Sequence, residues 1–166
     1  MMRRTHTVPW VLLGAVLGVG CPPNVAIRPD GSPAEEKCPE GAGAAMSVLG
    51  LVPFSTHRSG SHVSIFLDAT QKVIEPLILY DGLIESETWA NIEDLPGGTR
   101  LQGRVWTGGP KVVIRYYSAR LPDGKVIPFC AVAAWNGPGL PKSPCRPGSA
   151  AIPSSVAEVY ITGQFK

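Results

Sequence analysis

Between residues 95 and 135 three glycine- and proline-rich turns cut the chain into short runs, and no other feature limits the fold so strongly. Leu95-Pro96-Gly97-Gly98, Thr107-Gly108-Gly109-Pro110 and Pro122-Asp123-Gly124 are turn chemistry. Between them lie Thr99–Trp106, Lys111–Leu121 and Lys125–Trp135, all rich in β-branched or aromatic residues. That order predicts a three-strand antiparallel meander. Nineteen glycines and seventeen prolines in 166 residues argue against long helices elsewhere as well.

The flanking segments extend the pattern. His62–Asp68 alternates, with Val63, Ile65 and Leu67 on one side and His62, Ser64, Phe66 and Asp68 on the other. Val73–Tyr80 is apolar but carries Pro76, so it reads as an edge strand or two short strands. Asp81-Gly82 is a turn, and Leu83–Thr88 pairs briefly after it. Asn136–Pro153 reads as a loop, and Val156–Phe165 as a closing strand. A single short helix is expected over the alanine-rich stretch after Pro39, with Ala45, Met46 and Leu49 facing a sheet and Gly50 ending it. The fold class is therefore mainly β: a small antiparallel β-sandwich or partly closed barrel with one short N-terminal helix.

The beginning of the chain carries an address. Arg3 and Arg4 precede the apolar run Val8–Gly20, which ends in small residues directly before Cys21. These are the parts of an export signal. The run is too short to span a hydrocarbon core of about 30 Å as a helix. Val19-Gly20-Cys21 resembles the lipobox of short bacterial lipoproteins, with Leu17 one place farther back than usual. The resemblance implies lipidation of Cys21 as the first mature residue. Pro22 in place of Asp leans toward the outer membrane. The domain division is then 1–20 signal peptide, 21–37 lipid-anchored tether and 38–166 one β-rich domain. The tether reading follows from the Pro, Asp and Glu content of residues 22–37. The expected location is the cell envelope, with the domain in the periplasm or at the cell surface and the membrane engaged through the lipid.

Losing Arg3 and Arg4 from the 15 basic residues leaves 13 against 13 acidic ones. A neutral mature chain lacks the overall positive field that nucleic-acid binding needs, so no nucleic-acid partner is expected. Four cysteines, Cys21, Cys38, Cys130 and Cys145, fit an oxidising compartment. With Cys21 lipidated, one disulfide and one odd thiol follow. Cys130 can pair with Cys38 or with Cys145. Loop-closure entropy slightly favours Cys38–Cys130. No CxxC pair occurs and the histidines lie away from the cysteines, so no metal or cofactor is expected.

Residues 95–129 (LPGGTRLQGRVWTGGPKVVIRYYSARLPDGKVIPF) combine an LP-x-GT turn, a strand, and an LPDG turn. This segment resembles part of the β-barrel domain of VirB10/TrbI-type secretion and conjugation proteins. The resemblance covers about a fifth of the chain and implies a rigid envelope β-domain. The overall layout also resembles short lipoproteins labelled as serine/threonine kinases, but no HRD, DFG or GxGxxG is present.

Three constellations carry possible chemistry. Alternation puts Arg100, Gln102, Arg104 and Trp106 on one side of their strand, and Lys111, Val113, Arg115 and Tyr117 on one side of the next. If these sides coincide, Arg100, Arg104, Trp106, Arg115 and Tyr117 form a basic-aromatic binding face suited to an anionic or protein partner. Otherwise they are a solvated outer face. Asp81, Glu85, Glu87, Glu93 and Asp94 match no calcium loop. His57 and His62, with Ser59 and Ser61 between them, lack a GxSxG elbow and an orienting carboxylate nearby, so no catalytic residue is assigned. Trp89, Trp106 and Trp135 read as core or interface aromatics. The functional expectation is a lipid-tethered, non-enzymatic component that binds another envelope protein. The alternatives are a periplasmic module for a small anionic ligand on the basic face, and a small hydrolase.

Overall fold

Alternating apolar residues on six strands close a barrel. The computed structural model describes residues 25–54, 62–143 and 145–166. In chain order the elements are β1 (Glu36–Lys37), α1 (Ala42–Val48), β2 (His62–Phe66), β3 (Leu77–Tyr80), β4 (Gly82–Thr88) and β5 (Arg100–Trp106). They continue as β6 (Val113–Arg120), β7 (Val126–Ala134), β8 (Ser149–Ile152), β9 (Val156–Ile161) and β10 (Gln164–Phe165). The closed barrel runs β2-β4-β5-β6-β7-β9, with β9 hydrogen-bonded to both β7 and β2. Every pairing between these strands is antiparallel. Closure removes the open edges that a flat six-strand sheet would present.

The interior is filled by side chains. Val63 and Ile65 from β2, Leu101 and Val105 from β5, Ile114 and Tyr116 from β6, Phe129 and Ala131 from β7, and Val159 and Ile161 from β9 are all buried. Tyr116 places its hydroxyl 2.7 Å from Ser86 Oγ, which donates to the Leu67 carbonyl at 2.7 Å. The phenol is thus satisfied inside an apolar core, and burial raises its pKa far above the ordinary range. At Gly103 a Cβ would stand 2.4 Å from the Arg115 carbonyl oxygen and 2.8 Å from the Tyr116 ring, so only glycine lets β5 and β6 approach there. The register shifts beside Gly103 and skips Tyr117 on β6. This bulge turns both Tyr117 and Ser118 away from the fully buried interior.

The meander turns and the alternation of residues 62–68 agree with the sequence reading. Several details differ, among them the closing strand expected over 156–165, which is split into β9 and β10 around Thr162-Gly163. Leu83–Thr88 was expected to pair only briefly, yet β4 is a full barrel strand, registered with β5 from Gly82 to Glu87. The loop expected over 136–153 contains β8, which pairs with β3 as a separate two-stranded sheet. Pro76 lies just before β3, outside its ladder. The helix starts later than expected: Pro39 and Glu40 lie before it, and it begins after Gly41, whose φ of 76° lies in the left-handed region. It ends as expected at Gly50. Gly50 N–H donates to Ser47 O and Leu51 N–H to Met46 O, a Schellman closure.

A further difference concerns residues 22–37, expected as a flexible tether. From residue 31 onward this stretch packs on the barrel, with Gly31 against Gly108 and the Pro33 carbonyl accepting from Arg115. Arg28 and Ala34 N–H groups donate to Ser32 and Ala26 carbonyls, making a small hairpin. Glu36 and Lys37 pair with Phe165 and Gln164 of β10. Polar composition gave no sign of this, because the partners lie at the far end of the chain. Cys38 and Cys130 form a disulfide with a Cα–Cα distance of 5.5 Å, and Cys145 is a free, exposed cysteine. The bridge ties the start of the helical segment to β7.

Candidate functional site

The outer face of β5 and β6 does not form the open basic surface that alternation suggested. Arg104 stands opposite Arg115 in the register, so the two faces coincide there. The Arg104 and Arg115 guanidiniums lie 5.6 and 5.5 Å from the Trp106 ring. Arg115, however, is 0% exposed and Trp106 is 6% exposed. The β1–β10 strap covers Arg115. Arg115 is held by Glu36 Oε2 at 3.5 Å and by the Pro33 and Lys166 carbonyls at 3.4 and 3.1 Å, and it lies 5.2 Å from the Phe165 ring. Tyr117 donates its hydroxyl to the same Glu36 oxygen at 2.9 Å. Burial, then the neighbouring Glu36 carboxylate, pushes the Tyr117 phenol well above its usual pKa. Arg115, Trp106 and Tyr117 are thus a clamp that fastens both ends of the described chain to the barrel. Arg100 belongs to another group. It pairs with Glu85 at 3.3 Å and Glu87 at 3.0 Å, and Lys72 and Arg120 join the same carboxylates. These partly exposed pairs contribute little each.

The remaining expected residues are dispersed. Asp81 accepts from Thr107 N–H at 2.6 Å, while Glu85 and Glu87 sit in the ion-pair network. Among the described residues no three His, Cys, Asp or Glu side chains converge as a metal site. His62 opens β2 opposite Tyr160 and is exposed. His57, Ser59 and Ser61, like Cys21, lie outside the described residues. Among the described residues no helix is long and apolar enough to cross a membrane.

A different face gathers exposed aromatics. On β2 and β9 the outward residues pair as His62–Tyr160, Ser64–Glu158 and Phe66–Val156. Trp89, just past β4, donates its backbone N–H to the Ser64 carbonyl and lays its ring 5.7 Å from Phe66. Trp135 follows β7 directly, with Asn136 at φ 51° next to it. Between these elements lies a cleft of about 380 Å³ lined by Ser64, Trp135, Asn136, Ser154, Val156 and Glu158. Phe54 stacks on Tyr160 with ring centroids 4.0 Å apart. Burial raises the Tyr160 phenol pKa, and the Glu158 carboxylate adds to the rise.

Trp89 and Trp135 are 62% and 44% exposed, so neither is core. Large aromatic surface left in water, set around a cleft with a few polar groups, is characteristic of recognition surfaces. Sequence reasoning missed Ser64, Asn136 and Glu158. The available signal was the outward phase of Glu158 in the VAEVYI alternation and the Trp135-Asn136-Gly137 step at a strand end.

Comparison of the chain with family models, with curated proteins and with solved structures found no match. The fold and its surface therefore carry the functional argument: a disulfide-tied, six-stranded antiparallel barrel with a filled interior and an exposed aromatic cleft.

Proposed function

We propose that this protein is a lipid-tethered, non-enzymatic β-barrel domain of the cell envelope that binds another envelope protein through the face carrying Trp89, Phe66 and Trp135. The observation that carries this reading is the exposure of two tryptophans flanking the β2–β9 face of a well-filled barrel, Trp135 at the wall of its cleft and Trp89 against Phe66. Tryptophan contributes more per residue to protein interfaces than most side chains, because it buries much area at small entropic cost. The barrel lumen is occupied by its own side chains, which directs binding to the outside. The disulfide fits the oxidising compartment that the export signal implies.

The strap shortens the leash in this picture. With Cys21 in the membrane, five residues lie between the lipid-bearing residue and the bridge at Ile27, whose partner Pro33 accepts from Arg115 on β6. Extended chain spans at most about 3.5 Å per residue, so the bridge stands within roughly 20 Å of the anchor. The domain then works close to the lipid surface.

A photo-crosslinking residue placed at Trp89 or Trp135 should trap the same envelope protein in living cells, while one placed at exposed Lys125 should not. Absence of a discrete adduct from both tryptophan positions overturns the reading. For the anchor, a metabolically supplied fatty acid should label the wild type and not Cys21→Ala, and the variant should leave the membrane fraction. Equal labelling of both removes the lipid from the proposal.

A further inference from the structure

We infer that the barrel rests on the lipid surface by the side that carries the strap, with Leu83 and Tyr80 entering the headgroup region, and so turns its aromatic cleft away from the membrane. This orientation rests on the acyl anchor proposed above at Cys21.

The closed order β2-β4-β5-β6-β7-β9 sets β5 and β6 across the barrel from β9 and β2. The chain enters on the β5–β6 side. The hairpin closed by the Ile27–Pro33 bridge puts its Pro33 carbonyl on the Arg115 guanidinium of β6 and its Gly31 against Gly108 of the β5–β6 turn. Ser64 and Glu158, which line the aromatic cleft, stand on the opposite strands. Six tilted strands about 4.8 Å apart, with their side chains, make a cylinder roughly 22 Å wide, whose half-circumference is about 35 Å. The chain from Cys21 to Ile27 reaches at most roughly 20 Å. It is too short to pass round the barrel, so lipid attached at Cys21 lies on the strap side.

That side carries apolar surface that the fold leaves in water. Leu83 is 80% exposed and stands opposite Arg104 of β5, which in turn stands opposite Arg115. Tyr80, three residues earlier, is 68% exposed. Asp81 between them accepts from the backbone N–H of Thr107, next to Gly108. Ile27 is 54% exposed on the hairpin itself. The acids of this side are engaged within the protein. Asp30 accepts from Ser32 N–H and Oγ, Glu35 pairs with Arg28 at 3.7 Å, and Glu85 pairs with Arg100 and Arg120. Leucine and isoleucine gain by leaving water for the headgroup boundary, and tyrosine favours that boundary. Arg104 can keep its stem on apolar surface while its guanidinium reaches the phosphates. The β2–β9 face also exposes aromatics, but the short leash holds it away from the lipid. The membrane thus takes one apolar side of the barrel and leaves the other for a protein partner.

The test uses the lipidated full chain with Cys145→Ser, which removes the exposed free thiol. One bimane fluorophore is attached through Leu83→Cys, Tyr80→Cys or Glu158→Cys, all three at exposed positions. Each protein is reconstituted in phosphatidylglycerol–phosphatidylcholine vesicles, with the phosphatidylcholine either plain or brominated on its acyl chains. Brominated lipid should cause loss of emission from the Leu83 and Tyr80 labels and none from the Glu158 label. Loss at neither or at only one of the strap-side positions, or an equal loss at Glu158, overturns the orientation and leaves the anchor standing. A chain that takes up no fatty acid in cells removes anchor and orientation together, so the two failures are told apart.

Discussion

Glu36→Ala should destabilise the barrel by about 3 kcal/mol, because it strands a buried guanidinium. In a domain of this size that corresponds to a thermal midpoint lower by roughly 10 °C. Arg115 is wholly buried between Trp106 and Phe165, and Glu36 is the only acidic side chain within salt-bridge distance of it among the described residues. Its remaining hydrogen bonds go to two main-chain oxygens, of Pro33 and Lys166, and Nε has no partner at all. Removing Glu36 also takes the acceptor from the Tyr117 hydroxyl. Arg115→Met should cost less than Glu36→Ala, since an apolar chain of similar length suits a pocket walled by two aromatic rings. The double variant Glu36→Gln/Arg115→Met should recover much of the loss. Urea unfolding of the four proteins checks the order. A Glu36→Ala midpoint equal to wild type would show that the strap contributes nothing to stability.

This clamp also marks where sequence reading stopped. Alternation gave Arg104 and Arg115 each a side of its own strand and left open whether those sides coincide, as the register shows they do, and it put Val63, Ile65 and Leu67 on one common side, which is buried. Turn chemistry located the meander to within a residue or two. Each of these properties is local, set by side-chain phase and by what glycine and proline permit. What covers a face is not local. Glu36 lies 79 residues from Arg115, and its strand partner Phe165 lies at the other end of the chain. A two-residue pairing such as β1–β10 has no hydrophobic period to betray it. The same reasoning explains β8: Ser149–Ile152 is too short and too small-residued to stand out from a proline-rich loop. The aromatic cleft fell between these cases. Trp89 and Trp135 were legible as unusual residues, but their exposure depends on barrel closure at β9, which brings Glu158 beside Ser64.

Loss of the Cys38–Cys130 bridge should produce the other large effect. The two residues are 92 apart, and in the loop-entropy model a cross-link of that span stabilises by roughly 4–5 kcal/mol. The bond also holds a region with few apolar anchors of its own. Ala42, Met46 and Leu51 are its buried side chains, and Met46 accepts the Cys130 N–H at 3.4 Å. Cys38→Ser/Cys130→Ala should therefore lower the unfolding free energy by about 3–5 kcal/mol, whereas Cys145→Ser, at an exposed free thiol, should leave it unchanged. Denaturant midpoints of the oxidised protein and both variants measure this. A pair variant within 0.5 kcal/mol of wild type contradicts a stabilising role. The bridge and the Glu36 clamp both fasten the segment that begins at residue 25, with Cys38 two residues past Glu36. Neighbouring restraints on one segment couple. Once the bridge is gone, local opening of the strap competes with global unfolding, so Glu36→Ala should cost less in the bridge-free protein than in the oxidised one. Equal costs in the two backgrounds would mean that strap and bridge act independently. A smaller cost would identify residues 25–50 as one cooperative cover over β5, β6 and β7, closed only where the compartment oxidises thiols.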